Sequence, residues 1–145
     1  MIVGLPKEIK NHEYRVGLTP SSVRELTSRG HKVLVQTNSG TAIGLSDDQY
    51  AAAGALLVDT AKEIFALSDM LVKVKEPQPE ECAMLRDGQM LYTYLHLAPD
   101  PEQTAALIKS GAICIAYETI TGASGGLPLL APMSEVAGRM AIQAG

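Results

Sequence analysis

Cysteine is scarce in this chain: Cys82 lies in a polar segment and Cys114 within an apolar run, and neither has a second Cys or a His at metal-ligand spacing. That excludes a disulfide framework and the common zinc motifs, and it predicts a reduced, cytoplasmic protein. A basic excess is missing as well. Twelve Lys and Arg stand against 16 Asp and Glu, for a net charge of −4, and no basic stripe is interleaved with aromatics. Binding to a nucleic-acid backbone is therefore not expected. Nor does any apolar stretch approach the length of a membrane span, and Met1 to Lys10 lacks the apolar core of a signal peptide, so no membrane partner is expected. There is no internal repeat and no low-complexity segment. The one glycine-rich stretch, Thr121 to Leu127 (TGASGGL), is neither G-x-G-x-x-G nor G-x-x-x-x-G-K-[ST]; it predicts a loop and not a phosphate cradle.

What is present is an alternation. The 145 residues suit one domain of ordinary size. Ile2 to Leu5 reads as a buried strand. Thr19 followed by Pro20 is a helix start, with Gly30 as its stop and Val23 and Leu26 as its apolar stripe. Lys32 to Gln36 is a second strand, Ser46 caps a short helix that runs to Gly54, and Ala55 to Val58 suits a third strand. Asp59 or Thr60 caps a helix whose inward face is Ile64, Phe65 and Leu67. The strand Met70 to Lys75 is stopped by Glu76, Pro77 and Pro79, because proline cannot donate to a ladder. A short helix around Glu80 to Leu85, a strand Met90 to Leu95, a helix from about Pro101 to Lys109 ended by Gly111, and a strand Ala112 to Tyr117 complete the series. Connections too long for hairpins, and apolar runs that do not alternate cleanly, predict an α/β fold. Its sheet is mostly parallel and open, with helices on both faces, in a flavodoxin-like or Rossmann-like three-layer arrangement.

Three of these strands end on ionisable residues: Lys75, His96 and Glu118. In a parallel sheet they gather along the carboxyl edge, where ligands bind in open α/β folds. Arg15, in the polar stretch after the first strand, can reach the same edge. Singly, each has an ordinary structural reading: a solvated strand-end lysine, a satisfied histidine, a capping glutamate, a charged loop. Lys73 is odder, because on a strand Leu71, Lys73 and Lys75 share one face, so at least one lysine head must occupy a polar pocket or snorkel past the strand end. Together, Arg15 offers a planar fork for a carboxylate, Lys75 a compact charge for a keto oxygen, and His96 a proton carrier near neutral pH. That set suits reductive chemistry at the carbonyl of a small 2-oxo acid.

The runs PKEIKNHEYRVGLTP (Pro6 to Pro20), MLVKVKEP (Met70 to Pro77), LYTYLHLAP (Leu91 to Pro99), AYET (Ala116 to Thr119) and LPLLAPMSEVAGRMAIQAG (Leu127 to Gly145) resemble the N-terminal part of the alanine dehydrogenase and transhydrogenase family. The resemblance covers essentially the whole chain. It departs at the turn Gln36 to Gly44 and at Phe65, where the family more often has a Glu at the strand end and a Trp. The resemblance implies an NAD-dependent enzyme that interconverts L-alanine with pyruvate, ammonium and NADH, usually as a homohexamer. By it, residues 1–131 are a substrate-binding domain and 132–145 begin a helix leading to an NAD-binding domain that this chain lacks, so that the chain alone is expected to be inactive. Position by position it implies that Arg15 and Lys75 bind pyruvate, His96 is the acid/base, Ser134 contacts NAD and Glu118 helps to hold magnesium, with Tyr94 and Met133 lining the pocket. A hydroxyl and free N–H groups in the first turn of the last helix would suit a phosphate. Two other readings stay open: the NAD-binding domain of a proton-translocating transhydrogenase, and a non-catalytic module that binds a small acid.

Overall fold

The computed structural model describes residues 1–144. Six strands form one sheet: β1 (Ile2–Leu5), β2 (Lys32–Gln36), β3 (Leu56–Val58), β4 (Met70–Val72), β5 (Met90–Thr93) and β6 (Ile113–Ala116). Every pairing is parallel and the order is β3-β2-β1-β4-β5-β6. This is the doubly wound order of the Rossmann type, and its switch point, where successive connections run to opposite sides, lies between β1 and β4. Val3 marks the junction, paired with Val33 on one side and Met70 on the other.

Helices cover both faces because residues along the strands alternate between two cores. Val3, Leu5, Val33 and Val35 pack with Val23 and Tyr50, under α1 (Pro20–Ser28) and α2 (Asp47–Ala52). Leu34, Leu71 and Leu91 pack on the other face with Ile64, Phe65 and Leu107, carried by α3 (Ala61–Leu67) and α5 (Pro101–Ser110). The helix starts follow the sequence signals. Thr19 accepts from the Ser22 N–H with Pro20 in the first turn, Ser46 and Gln49 form a capping box, Thr60 rather than Asp59 caps α3, and Asp100 caps α5. Gly111 ends α5 in the left-handed conformation, φ 69°.

Several boundaries differ from expectation. The short helix α4 covers Pro79–Cys82 and not Glu80 to Leu85. Leu67 is 55% exposed, so it does not belong to the inward face of α3: it is the last residue of the helix, where the chain is already turning towards β4. The last three strands stop short of their ionisable ends, for a reason that bears on the site. Lys73 still donates its N–H to the Tyr92 carbonyl (3.0 Å). The N–H of Val74 and that of Lys75 go instead to the Glu8 carboxylate (2.6 and 3.4 Å). Beyond β5, the N–H groups of Leu95 and His96 both go to the Glu118 carboxylate (3.0 and 2.9 Å). Side-chain oxygens thus replace the neighbouring strand as acceptors, and the backbone leaves the ladder with its donors satisfied. The last helix, α6 (Ala131–Ala144), buries no residue, and Val136, Met140 and Ile142 are exposed along it.

Candidate active site

Lys75 follows β4, His96 follows β5, and Glu118 sits in a short 3-10 turn (Tyr117–Thr119) directly after β6. These strands are parallel neighbours, so all three residues emerge at the carboxyl edge. Arg15 is brought there by the long connection between β1 and α1. Gly17 seats that connection: a Cβ at position 17 would lie 2.7 Å from the Val72 carbonyl oxygen, so the backbone touches the end of β4 where no side chain fits.

The Arg15 guanidinium is held on one side only. Its Nε and Nη2 donate to the two oxygens of Glu13 (2.9 and 2.6 Å), and the backbone N–H of Arg15 also goes to Glu13. The Glu13 carboxyl is held below its ordinary range, first by the hydrogen bond from Arg15, with the charge of Lys75 adding to the effect. Nη1 points the other way, 3.5 Å from the Met133 sulfur. It faces a cavity of about 500 Å³ that is also lined by Tyr94, Tyr117 and Leu129. Lys75, His96 and Glu118 do not line that cavity. Tyr117 stands in the middle of the aromatic wall, edge-on to Tyr92 and Tyr94 with ring centroids 4.9 and 4.4 Å away. Its hydroxyl donates to the Lys73 carbonyl (2.7 Å), and burial pushes its pKa well up. Tyr94 donates to the Leu129 carbonyl (2.8 Å), tying the wall to the segment before α6.

Beneath Lys75 lies a buried ion cluster. Lys73 is fully buried, with its Nζ 2.9 Å from Glu8 and 2.7 Å from Glu81. Burial raises the pKa of Glu81, and Lys73 opposes that shift. The polar pocket required by a lysine inside an apolar run is therefore Glu8 and Glu81. Sequence reasoning missed Glu8 and Glu13, for which a solvated charged loop was the ordinary reading, and Glu81, which lay in an expected short helix. The lysine itself was the available signal, since a buried ammonium demands carboxylate partners. Lys75 differs: its side chain is 34% exposed, its Nζ lies 3.9 Å from Glu76, and Thr93 fixes its carbonyl (2.8 Å).

His96 is exposed and adopts a left-handed backbone, φ 47°, a conformation that costs a non-glycine residue free energy and recurs at functional sites. Glu118 accepts the N–H groups on which that turn depends through Oε1 alone, while its Oε2 is buried without a partner. Among the described residues no group of three or more His, Cys, Asp or Glu could hold a metal ion, so Glu118 would offer a magnesium ion one carboxylate, with water or other groups completing its octahedral shell. For NAD, α6 offers the exposed Ser134 hydroxyl, bonded at 3.3 Å to the Leu130 carbonyl. The expected free N–H groups are not there. Those of Ala131, Met133 and Ser134 are donated to Leu127 or Leu130, and Pro132 has none. The described first turn thus fits one hydrogen bond to the cofactor and not a phosphate cradle.

No helix among the described residues is long and apolar enough to cross a membrane. Comparison with known proteins agrees with this architecture. The chain is 59% identical to an alanine dehydrogenase of Halomonas elongata and 53% identical to one of Mycolicibacterium smegmatis, over all 145 residues and 39% of each relative. It therefore spans about two-fifths of the length of these curated relatives. A solved L-alanine dehydrogenase superposes with a TM-score of 0.94 at 49% identity, covering 100% of this chain and 40% of that one. A transhydrogenase from Sinorhizobium meliloti superposes with a TM-score of 0.76 at 27% identity, covering 81% of this chain and 35% of that one. A family model described as alanine dehydrogenase/PNT, N-terminal domain, matches residues 4–137, and the chain belongs to that family.

Proposed function

We propose that this chain is the substrate-binding part of an NAD-dependent L-alanine dehydrogenase, catalysing L-alanine + NAD + water to pyruvate + ammonium + NADH, reversibly. The observation that carries this reading is the half-used Arg15 fork. Glu13 occupies its Nε and Nη2 side, and Nη1 remains directed at a cavity beside Tyr94 and Met133. That free nitrogen suits one carboxylate oxygen, and Lys75, outside the cavity lining but near enough to act on the charge of Glu13, would supply a charge for a keto oxygen that reaches the strand edge. Residues 1–131 would form the substrate domain and 132–145 the start of a connecting helix, with Ser134 offering its hydroxyl to NAD. A homohexameric, cytoplasmic enzyme is part of the same proposal.

In the direction of amination, pyruvate docks with its carboxylate on Arg15 and its keto oxygen on Lys75. The Lys75 ammonium donates a charge-assisted hydrogen bond that polarises the carbonyl, and ammonia adds to carbon 2. His96 relays a proton from the new ammonium nitrogen to the alkoxide to give the carbinolamine, and a second proton passed to its hydroxyl lets it leave as water, forming the iminium. NADH, which Ser134 would help to hold, would supply the hydride for the iminium carbon. Each charge-assisted bond at the carboxyl and keto groups contributes about 1.5–3 kcal/mol.

The transhydrogenase likeness favours a second reading, in which the domain serves nucleotide binding and performs no chemistry on pyruvate. NADH oxidation by the full gene product that carries this chain distinguishes the two. Oxidation that requires pyruvate and ammonium together is expected; NADH binding without pyruvate-dependent oxidation would favour the second.

A further inference from the structure

The steps proposed above give Glu118 no role, although its carboxylate accepts two backbone N–H groups at the sheet edge. We propose that Glu118 is a positioning residue for His96: it clamps the backbone turn that aims the imidazole at the substrate. This rests on the proposal that His96 carries the proton in the amination reaction.

Three observations carry the inference. Oε1 of Glu118 accepts both the Leu95 N–H (3.0 Å) and the His96 N–H (2.9 Å). These are the two donors that leave the β5 ladder, and no strand replaces their acceptors. Second, His96 has φ 47°. A β-carbon strains that conformation, which persists only where the surroundings over-determine it. The surroundings here are few: Leu95 is 2% exposed, its carbonyl accepts from the buried Gln103 amide (2.8 Å), and Glu118 supplies the other hold. Third, Glu118 belongs to the turn after β6, next to β5 in the sheet. The clamp therefore ties His96 to a strand that is not its own. Removing it frees two backbone N–H groups and lets the turn relax to negative φ, swinging the side chain away. A reacting group displaced by about 1 Å loses on the order of 100-fold in rate.

The clamp needs an acceptor oxygen and not a charge, and this separates it from a metal ligand. In the full gene product, Glu118→Gln retains an amide oxygen for both N–H groups, and its kcat is expected to stay within about tenfold of the parent, reflecting the weaker neutral acceptor. Glu118→Ala is expected to lose roughly 100-fold in kcat with KM for pyruvate little changed, because Arg15 and Lys75 are untouched. Amide exchange at Leu95 and His96 should quicken in Glu118→Ala and not in Glu118→Gln. A folded Glu118→Gln protein as inactive as His96→Gln, or restored by added magnesium, would overturn the clamp, as would a Glu118→Ala protein with the parental kcat. Should Glu118→Ala fail to fold, the Gln variant decides alone. High activity of His96→Gln would instead refute the assignment of the proton carrier, and amide exchange in Glu118→Ala would then still test the clamp.

Discussion

Two lysines separated by one residue differ in burial: one is locked into the fold and the other is free to meet a ligand. Lys73, fully buried between Glu8 and Glu81, is part of the folded state. Replacing it by Met leaves two carboxylates buried without a counter-ion, and urea titration should show a loss of about 3–5 kcal/mol. Lys75, a third exposed and only loosely near Glu76, should cost under about 0.5 kcal/mol on truncation to Ala. Glu13 is a third kind of residue, holding the orientation of Arg15. Its folded pKa lies below the ordinary 4.5, so its contribution to stability is complete above that value and is lost as pH falls through the folded value. The stability difference between the parent and Glu13→Gln should accordingly be constant at about pH 6 and above and shrink on acidification; a difference independent of pH into the acid range would show that the ion pair contributes nothing. The thiol of Cys82 is buried and pushed up to about 11, and it should resist iodoacetamide at about pH 8 until the chain unfolds.

At the scale of elements, the starts of helices were legible because one side chain decides each: Thr19 and Ser46 cap as their sequence contexts predict, and Thr60, one of the two residues expected there, caps α3. The ends of the last three strands were not. A run such as Met90 to Leu95 looks uniform, but after the Tyr94 N–H has gone to the Val74 carbonyl (3.3 Å) the N–H groups of Leu95 and His96 are captured by Glu118, from the turn after the next strand. The exit of β4 is held in the same way by Glu8, which is itself on the exit of β1. Long-range side-chain acceptors of this kind leave no local periodicity to read. The β1 to α1 connection has the same character, depending on Gly17 against the Val72 carbonyl. Gly17→Ala should push the connection off β4 and lower pyruvate affinity through Arg15, measured by titration calorimetry on the full gene product. An unchanged affinity would mean that the connection adapts without moving Arg15.

For the whole molecule, the parallel sheet and its covered faces were readable from strand and helix alternation, while the order of the strands was not. That order matters most, since it places the β1 and β4 exits side by side at the switch point and so makes neighbours of Arg15 and the Lys75 segment. The ionisable strand ends Lys75, His96 and Glu118 pointed to the sheet edge, whereas Glu8 and Glu13, which hold the backbone of the β4 exit and the Arg15 fork, were hidden in a segment whose ordinary reading was a charged loop. The central claim is that the edge is built for chemistry and that Lys75 is not needed for the fold. The most direct test is Lys75→Ala in the full gene product, with pyruvate- and ammonium-dependent NADH oxidation and urea stability measured side by side. The account predicts a fall in kcat/KM of at least about tenfold, the loss of one charge-assisted bond, with stability unchanged. Near-parental kcat/KM, or a loss of activity fully matched by a loss of folding, would contradict it.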